Sequence, residues 1–276
     1  FLPRYVDTVA FRLGVESPKE VDLYNALSKY VNEQYNKALT KQDKRRNIAF
    51  ALVILQRRLA SSTFALLKSL ERRKKRLDDL LEGATQQNNR NGYTAYNPND
   101  DEEDEDEQTR WAQEEVWETL SVAENQDELR AEIETLKDLI RKAKAIVDSE
   151  SEAKLRHFKD SLTKLNDKFP GAKILIFTES RDTLTHLEKH IKDKWGYTVC
   201  TIHGGMRLEE RINAERTFKN DAQVMIATEA AGEGINLQFC NLMINYDLPW
   251  NPNRLEQRMG RIHRYGQERD CLIFNF

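Results

Sequence analysis

The 276-residue sequence contains no Gly-Lys dipeptide. This excludes the Gly-Lys-Ser or Gly-Lys-Thr loop that cradles phosphates in many nucleotide hydrolases. Cysteine is scarce: Cys200, Cys240 and Cys271 lie far apart, odd in number and without a Cys-x-x-Cys pair. That argues against a disulfide framework and for small buried thiols in a reducing, cytoplasmic setting. No run approaches the roughly 18 apolar residues of a membrane span and no signal peptide opens the chain, so no membrane partner is expected. His186 and His190 stand four apart on a predicted helix, but Leu187 fills the place where a zinc protease carries glutamate. No metal site is assigned.

Charge, by contrast, is abundant. Charged residues make up 32 per cent of the chain against 39 per cent hydrophobic, a balance suited to long solvated helices or a disordered insert beside a globular part. The net charge is -3, yet Asp100 to Glu107 are all acidic, and without those eight the chain has 43 basic against 38 acidic side chains. A nucleic-acid partner is therefore compatible with an acidic protein. The stretch around the octet, about residues 83–109, has no apolar period and cannot bury enough surface to offset its ordering entropy, so disorder is expected. Such a segment could compete for a basic surface such as a DNA groove. The plainer account, a solvated loop that keeps its neighbours soluble, is preferred on sequence alone. A solvated face is likewise preferred for the basic run Arg72-Arg73-Lys74-Lys75-Arg76.

Residues 4–13 alternate as a strand, with Val9, Phe11 and Leu13 on one face. Ser17-Pro18 then offers a cap and first helical position. Apolar positions from Ile48 to Leu77, and again from Val116 to Val147, mostly step by three, four or seven, which predicts two long helices paired as an antiparallel hairpin. From about residue 152 the texture changes to alternating strands and helices. Strands are predicted at 173–177, 198–202, 223–227, 241–246 and 271–275, with helices at 181–194, 207–219 and 253–263 between them. That order argues for a parallel sheet covered on both faces, an α/β fold.

Two segments carry chemistry. Residues 257–267 place Arg258, Arg261 and Arg264 at three-residue intervals, which on a helix would keep them near one face, and guanidinium forks suit phosphate oxygens. Gly260 between them would let a ligand come close. Residues 223–228 form an apolar strand that runs into Glu229-Ala230-Ala231-Gly232-Glu233-Gly234-Ile235-Asn236-Leu237. A dinucleotide fingerprint would need glycine where Leu237 stands, so that reading is rejected.

With Asp247-Leu248-Pro249-Trp250-Asn251-Pro252 between them, these segments closely resemble motifs V and VI of the Swi/Snf branch of superfamily-two helicase-like ATPases. Lys173 to Thr178 resembles motif IV, and His203-Gly204-Gly205 with Arg211 resembles the motif that follows it. The resemblance is firm over about 155–276 and looser before it. It implies residues 152–276 as a second RecA-like lobe with motifs IV to VI, preceded over 1–151 by an α-helical protrusion that contains the hairpin. Asp101-Glu102-Glu103-Asp104 imitates the letters of an acidic helicase box but follows Tyr96-Asn97-Pro98-Asn99 rather than an apolar strand. The chain is therefore expected to be a carboxyl-terminal piece, inactive as an ATPase alone, of a motor whose first RecA-like lobe binds most of the ATP and Mg. Its start at Phe1 fits that expectation.

In the resembling family Arg261 and Arg264 occupy positions that project across the cleft to the γ-phosphate, and cations aimed there are worth about a thousandfold or more in rate. Gly232, Glu233 and Gly234 resemble a loop that meets nucleotide sugar and nucleic-acid backbone, and Gln257 resembles its link to the phosphates. Thr178, Ser180, Arg181, His203, Gly204, Gly205 and Thr228 fall at strand ends on the side expected to face DNA. Their hydroxyls, amides and guanidinium would bind phosphate without reading bases. Trp250 is expected to pack within the lobe. The activity implied is ATP-dependent translocation along double-stranded DNA. A strand-separating helicase, or a non-hydrolysing scaffold with the helical hairpin as the docking face for a second protein, is the alternative.

Overall fold

A computed structural model of the chain describes residues 2–39, 45–83, 107–118, 120, 121, 123, 125–229 and 237–276. The chain forms two compact units. One, the sheet unit, comprises Phe1–Arg12, Asp106–Gln108 and Ala153–Phe276; the other, the helical unit, comprises Leu13–Glu105 and Thr109–Glu152. Residues 84–106, with all of the acidic octet except Glu107, lie outside the described residues. Among the described residues no helix is long and apolar enough to cross a membrane.

The helical unit contains α1 (Leu13–Glu16), α2 (Pro18–Leu39), α3 (Arg45–Ser61), α4 (Thr63–Leu81), α5 (Glu107–Glu118, counted from Thr109) and α6 (Gln126–Asp148). Leu23, Leu27 and Tyr30 of α2, Leu52 and Leu55 of α3, Leu66, Leu70 and Leu77 of α4, and Ile133, Leu136, Ala143 and Ile146 of α6 form one core. The heptad-like spacing that predicts helices thus does its work by burying one stripe of each. Each of the two long helices expected from that spacing is in fact two. Ser62 leaves helical geometry at φ -160°, and its hydroxyl accepts the Ala65 N–H at 3.0 Å, starting α4 afresh. Asn125 does the same for α6, accepting the Glu128 N–H at 2.9 Å. Local side-chain caps compete with helix continuation, and apolar periodicity does not register them. Glu152 accepts the Thr63 N–H while Arg73 meets Glu132, so α4 and α6 run antiparallel. Arg73 is wholly buried, which corrects the solvated face expected of its basic run.

In the sheet unit, β1 (Arg4–Thr8), β2 (Ile174–Phe177), β3 (Val199–Ile202), β4 (Val224–Ala227), β5 (Leu242–Asn245) and β6 (Cys271–Asn275) are all parallel, in the order β1-β6-β5-β2-β4-β3. Strands β2, β4 and β5 are buried at every position, as apolar strands covered on both faces must be. Successive residues alternate between two cores. Leu175, Phe177, Met225, Ala227 and Met243 join Phe218 of α9 (Leu208–Asn220) and Met259 of α10 (Pro252–Met259). Ile174, Ile176, Val224, Ile226, Leu242 and Ile244 join Phe158 and Leu162 of α7 (Ala153–Lys168) and Leu184 and Leu187 of α8 (Arg181–Lys189). The last turn of the helix predicted at 181–194 is π-helical, His190–Lys194.

The first strand corrects the expected division of the chain. It ends at Thr8 rather than Leu13, and it pairs with β6 as an edge of the sheet instead of belonging to the helical region. Arg4 holds Glu256 of α10 through two bonds of 2.8 and 3.0 Å, and the Leu2 carbonyl meets His263 Nε2 at 2.8 Å.

Candidate functional site

All six strands point the same way, so the segments that leave β2, β3, β4 and β5 emerge along one edge of the sheet. In open parallel sheets that carboxyl edge is where ligands bind. Thr178, the turn 203–206, Thr228 and Asp247 therefore lie along this edge.

After β3 the chain turns sharply, with the Met206 N–H donating to the His203 carbonyl at 3.1 Å. Arg211 of α9 braces the turn, donating to the Gly204 carbonyl at 3.0 Å and to the Met206 carbonyl at 3.1 Å. The Gly205 N–H donates to His203 Nδ1 at 3.2 Å, which requires that nitrogen to carry no proton. Burial, and then the charges of Arg181 and Arg211, hold the His203 pKa below its usual value, with Glu210 opposing. Two guanidiniums therefore bear on this corner of the lobe. Arg181 is exposed at the first position of α8, where Ser180 caps the helix by accepting the Thr183 N–H at 3.4 Å.

Gly204 and Thr228 are not open to solvent. The Gly204 N–H and the Thr228 hydroxyl both donate to one carboxylate oxygen of Glu107, each at 2.7 Å. Sequence reasoning missed this contact, because it joins residues about a hundred positions apart. The solvated loop preferred for the acidic segment is thereby corrected at Glu107, which is 5 per cent exposed.

A second network crosses the same edge. Thr178 donates to one Asp247 oxygen at 2.6 Å and the Glu179 N–H to the other at 2.8 Å. Thr178 and Ser180 are both buried, so their hydroxyls organise the edge and place the exposed Arg181. Arg258 donates to the Asp247 carbonyl at 2.8 Å and to Glu229 through Nε at 2.8 Å, with a second nitrogen also on Glu229. Its guanidinium lies 5.3 Å from the centre of the Phe177 ring. Glu229 opens the segment whose Gly232, Glu233 and Gly234 lie outside the described residues.

The shared arginine face is corrected here. The helix predicted to reach 263 stops at Met259, with Gly260 as its cap. Arg258 turns into the interior, whereas Arg261 (half-buried) and Arg264 (exposed) follow the helix end in turns, and Gln257 is exposed on α10. Gly260 has an ordinary φ of -60°, and an added Cβ would meet the Gln257 and Glu256 carbonyl oxygens at 3.4 Å. Gly266 is the position where glycine matters: its φ is +93°, and an added Cβ would stand 3.1 Å from Gln238 Oε1. Gln267 clips the turn shut by donating to the Cys240 and Ile262 carbonyls at 3.0 and 2.9 Å. Trp250, expected to pack, is 74 per cent exposed.

Residues 153–266 match the family model of the helicase conserved C-terminal domain. Over 116 residues, 42 per cent of this chain and 20 per cent of the relative, the sequence is 51 per cent identical to YqhH of Bacillus subtilis, an uncharacterized ATP-dependent helicase. Over 115 residues, 41 per cent of this chain and 12 per cent of the relative, it is 40 per cent identical to the RNA polymerase-associated protein RapA of Vibrio parahaemolyticus. The chain thus spans a fifth or less of the length of these relatives. The crystal structure of the C-terminal part of the Fun30 ATPase domain superposes with a TM-score of 0.54 at 17 per cent identity, covering 99 per cent of this chain and 84 per cent of that one. That likeness bears on the fold, which is the α/β, RecA-like lobe with helices before it.

Proposed function

We propose that this chain, whose residues 153–266 are a helicase conserved C-terminal domain of the Swi/Snf-type superfamily-two ATPases, serves as the second lobe of an ATP-dependent translocase on double-stranded DNA. The observation that carries this reading is the gathering of motif residues on one carboxyl edge. Arg181 and the braced turn at 203–206 lie there with the network that runs from Thr178 through Asp247 and Arg258 to Glu229. Backbone amides and guanidiniums at such an edge suit phosphate oxygens and carry no base code, as movement along any sequence requires. Arg181, His203 and Gly205 are the exposed or half-buried members of the DNA-facing set, and Thr178, Ser180, Gly204 and Thr228 shape it from beneath.

Arg261 and Arg264 are the catalytic pair. Both follow α10 in turns tied down by Gln267, so their guanidiniums are offered from a held position to a γ-phosphate bound on the first RecA-like lobe. ATP and Mg would be held mainly by that lobe, since this sequence lacks the Gly-Lys loop. ATP supplies the phosphoryl group whose developing charge the guanidiniums would stabilise. The relative RapA is by name RNA polymerase-associated, and a polymerase bound to DNA is the kind of complex such a motor would act on.

The test has two stages. The chain alone should bind duplex DNA with an affinity that falls with salt and ignores sequence, and it should turn over no ATP; robust hydrolysis by the isolated chain contradicts the reading. In the full-length protein, Arg264→Ala should lower kcat about a thousandfold with nucleotide affinity nearly intact. A large affinity loss at normal turnover refutes the catalytic assignment. Duplex-stimulated turnover without strand separation distinguishes a translocase from an unwinding helicase.

A further inference from the structure

Gly204 and Thr228 close neighbouring strands whose ends stand in register, Ile202 opposite Ala227. Their two donors, a backbone N–H and a hydroxyl, converge on a single point, and a single oxygen of Glu107 occupies it, 2.7 Å from each. A charged oxygen that receives two short bonds from donors without sequence information is what a nucleic-acid phosphate offers. Arg181 and Arg211 bear on the adjoining His203, with Glu210 opposing them. Glu107 is also the last residue of the run Asp100 to Glu107, the longest acidic stretch in the chain.

We propose that Glu107 is a built-in phosphate mimic: its carboxylate holds the Gly204 and Thr228 donors and lowers the affinity of the lobe for duplex DNA until it is displaced. The inference rests on the DNA-facing reading of this edge. A purely structural role for Glu107 predicts a different sign. Removing a structural contact loosens the fold and leaves DNA affinity unchanged or weaker, whereas removing a competitor strengthens binding even as the fold loses a contact. If the donor pair is free in only a small fraction of molecules, the observed affinity is reduced by that fraction, and the variant recovers it.

The experiment titrates a fluorescent duplex with the full chain, as wild type, Glu107→Ala and Glu107→Gln, between about 50 and 200 mM salt. We expect Glu107→Ala to bind about tenfold tighter at the lower salt. Glu107→Gln keeps the volume and one acceptor but loses the charge; a severalfold gain is expected, and it decides the matter if the alanine variant fails to fold. Folded variants that bind the duplex no more tightly than wild type overturn the mimic while leaving DNA binding standing. If neither wild type nor variants bind duplex at the lowest salt, the DNA reading itself fails and the mimic falls with it.

Discussion

Each unit buries an arginine against a glutamate, and the two pairs are set in different surroundings. In the helical unit Arg73 and Glu132 are 2.9 Å apart, with side chains 0 and 2 per cent exposed. Tyr30 accepts from Arg73 at 2.6 Å and donates to Glu132 at 2.7 Å, and Ser121 donates to the other glutamate oxygen at 2.6 Å. Burial pushes the Tyr30 hydroxyl far above its ordinary range, so it stays protonated and can donate. Tyr30 comes from α2, Arg73 from α4 and Glu132 from α6, so the network joins three helices of the bundle. In the sheet unit Arg258 holds Glu229 at the mouth of the segment that carries Gly232 to Gly234, and the same guanidinium reaches the Asp247 carbonyl. One pair fixes a bundle; the other ties together segments on which the proposed chemistry depends.

Breaking the first pair should produce the largest stability change. Arg73→Ala leaves Glu132 buried without its cation, and a loss of about 3–5 kcal/mol is expected in urea denaturation. Replacing both partners together, Arg73→Met with Glu132→Leu, should restore part of that, because apolar side chains substitute for a buried ion pair while the Tyr30 hydroxyl loses both of the partners named above. The comparison then sharpens at Arg258. Arg258→Ala with Glu229→Leu should recover stability in the same way, yet turnover by the proposed full-length motor should remain slow, with kcat reduced and duplex affinity little changed. Restored turnover in that double variant would make Arg258 as purely structural as Arg73.

The contrast also explains what the amino-acid pattern discloses and what it hides. Strands β2 to β6 lie within one residue of their expected bounds, and three of them, β2, β4 and β5, are buried on both faces and so read as short continuous apolar runs that end in hydroxyl or polar residues. The carboxyl-edge position of Thr178, the turn at 203–206 and Thr228 follows directly. Arg258 was visible as part of a basic run, but its inward turn depends on where α10 stops, and a helix end is a local event that three-residue spacing does not fix. Ser62 and Asn125 divided helices for the same reason. Arg73 looked like its four basic neighbours until Glu132 and Tyr30, brought from α6 and α2, gave it partners. Glu107 is the extreme case: within the sequence it is one more acidic residue in a solvated run, and only the fold brings it to two donors on adjacent strands.

The smallest expected effect concerns His203, beside those donors. Its folded pKa lies below the ordinary 6.5, through burial first and then the nearby charges of Arg181 and Arg211. The stability this residue contributes is therefore fully present above pH 6.5 and is lost as pH falls through the lowered folded value. A phosphate arriving at the same corner would add negative charge beside the imidazole and raise that pKa again, so binding would take up part of a proton. Duplex affinity should consequently strengthen between pH 7.5 and 5.5 by less than about tenfold, the equivalent of one pKa unit, and His203→Gln should flatten that dependence. Ring proton shifts followed by magnetic resonance give the independent check: His203 should titrate below 6.5 in the free chain and at higher pH with duplex present. Identical pH profiles for wild type and variant would mean that no phosphate comes near this imidazole, and would move the proposed DNA path away from the end of β3.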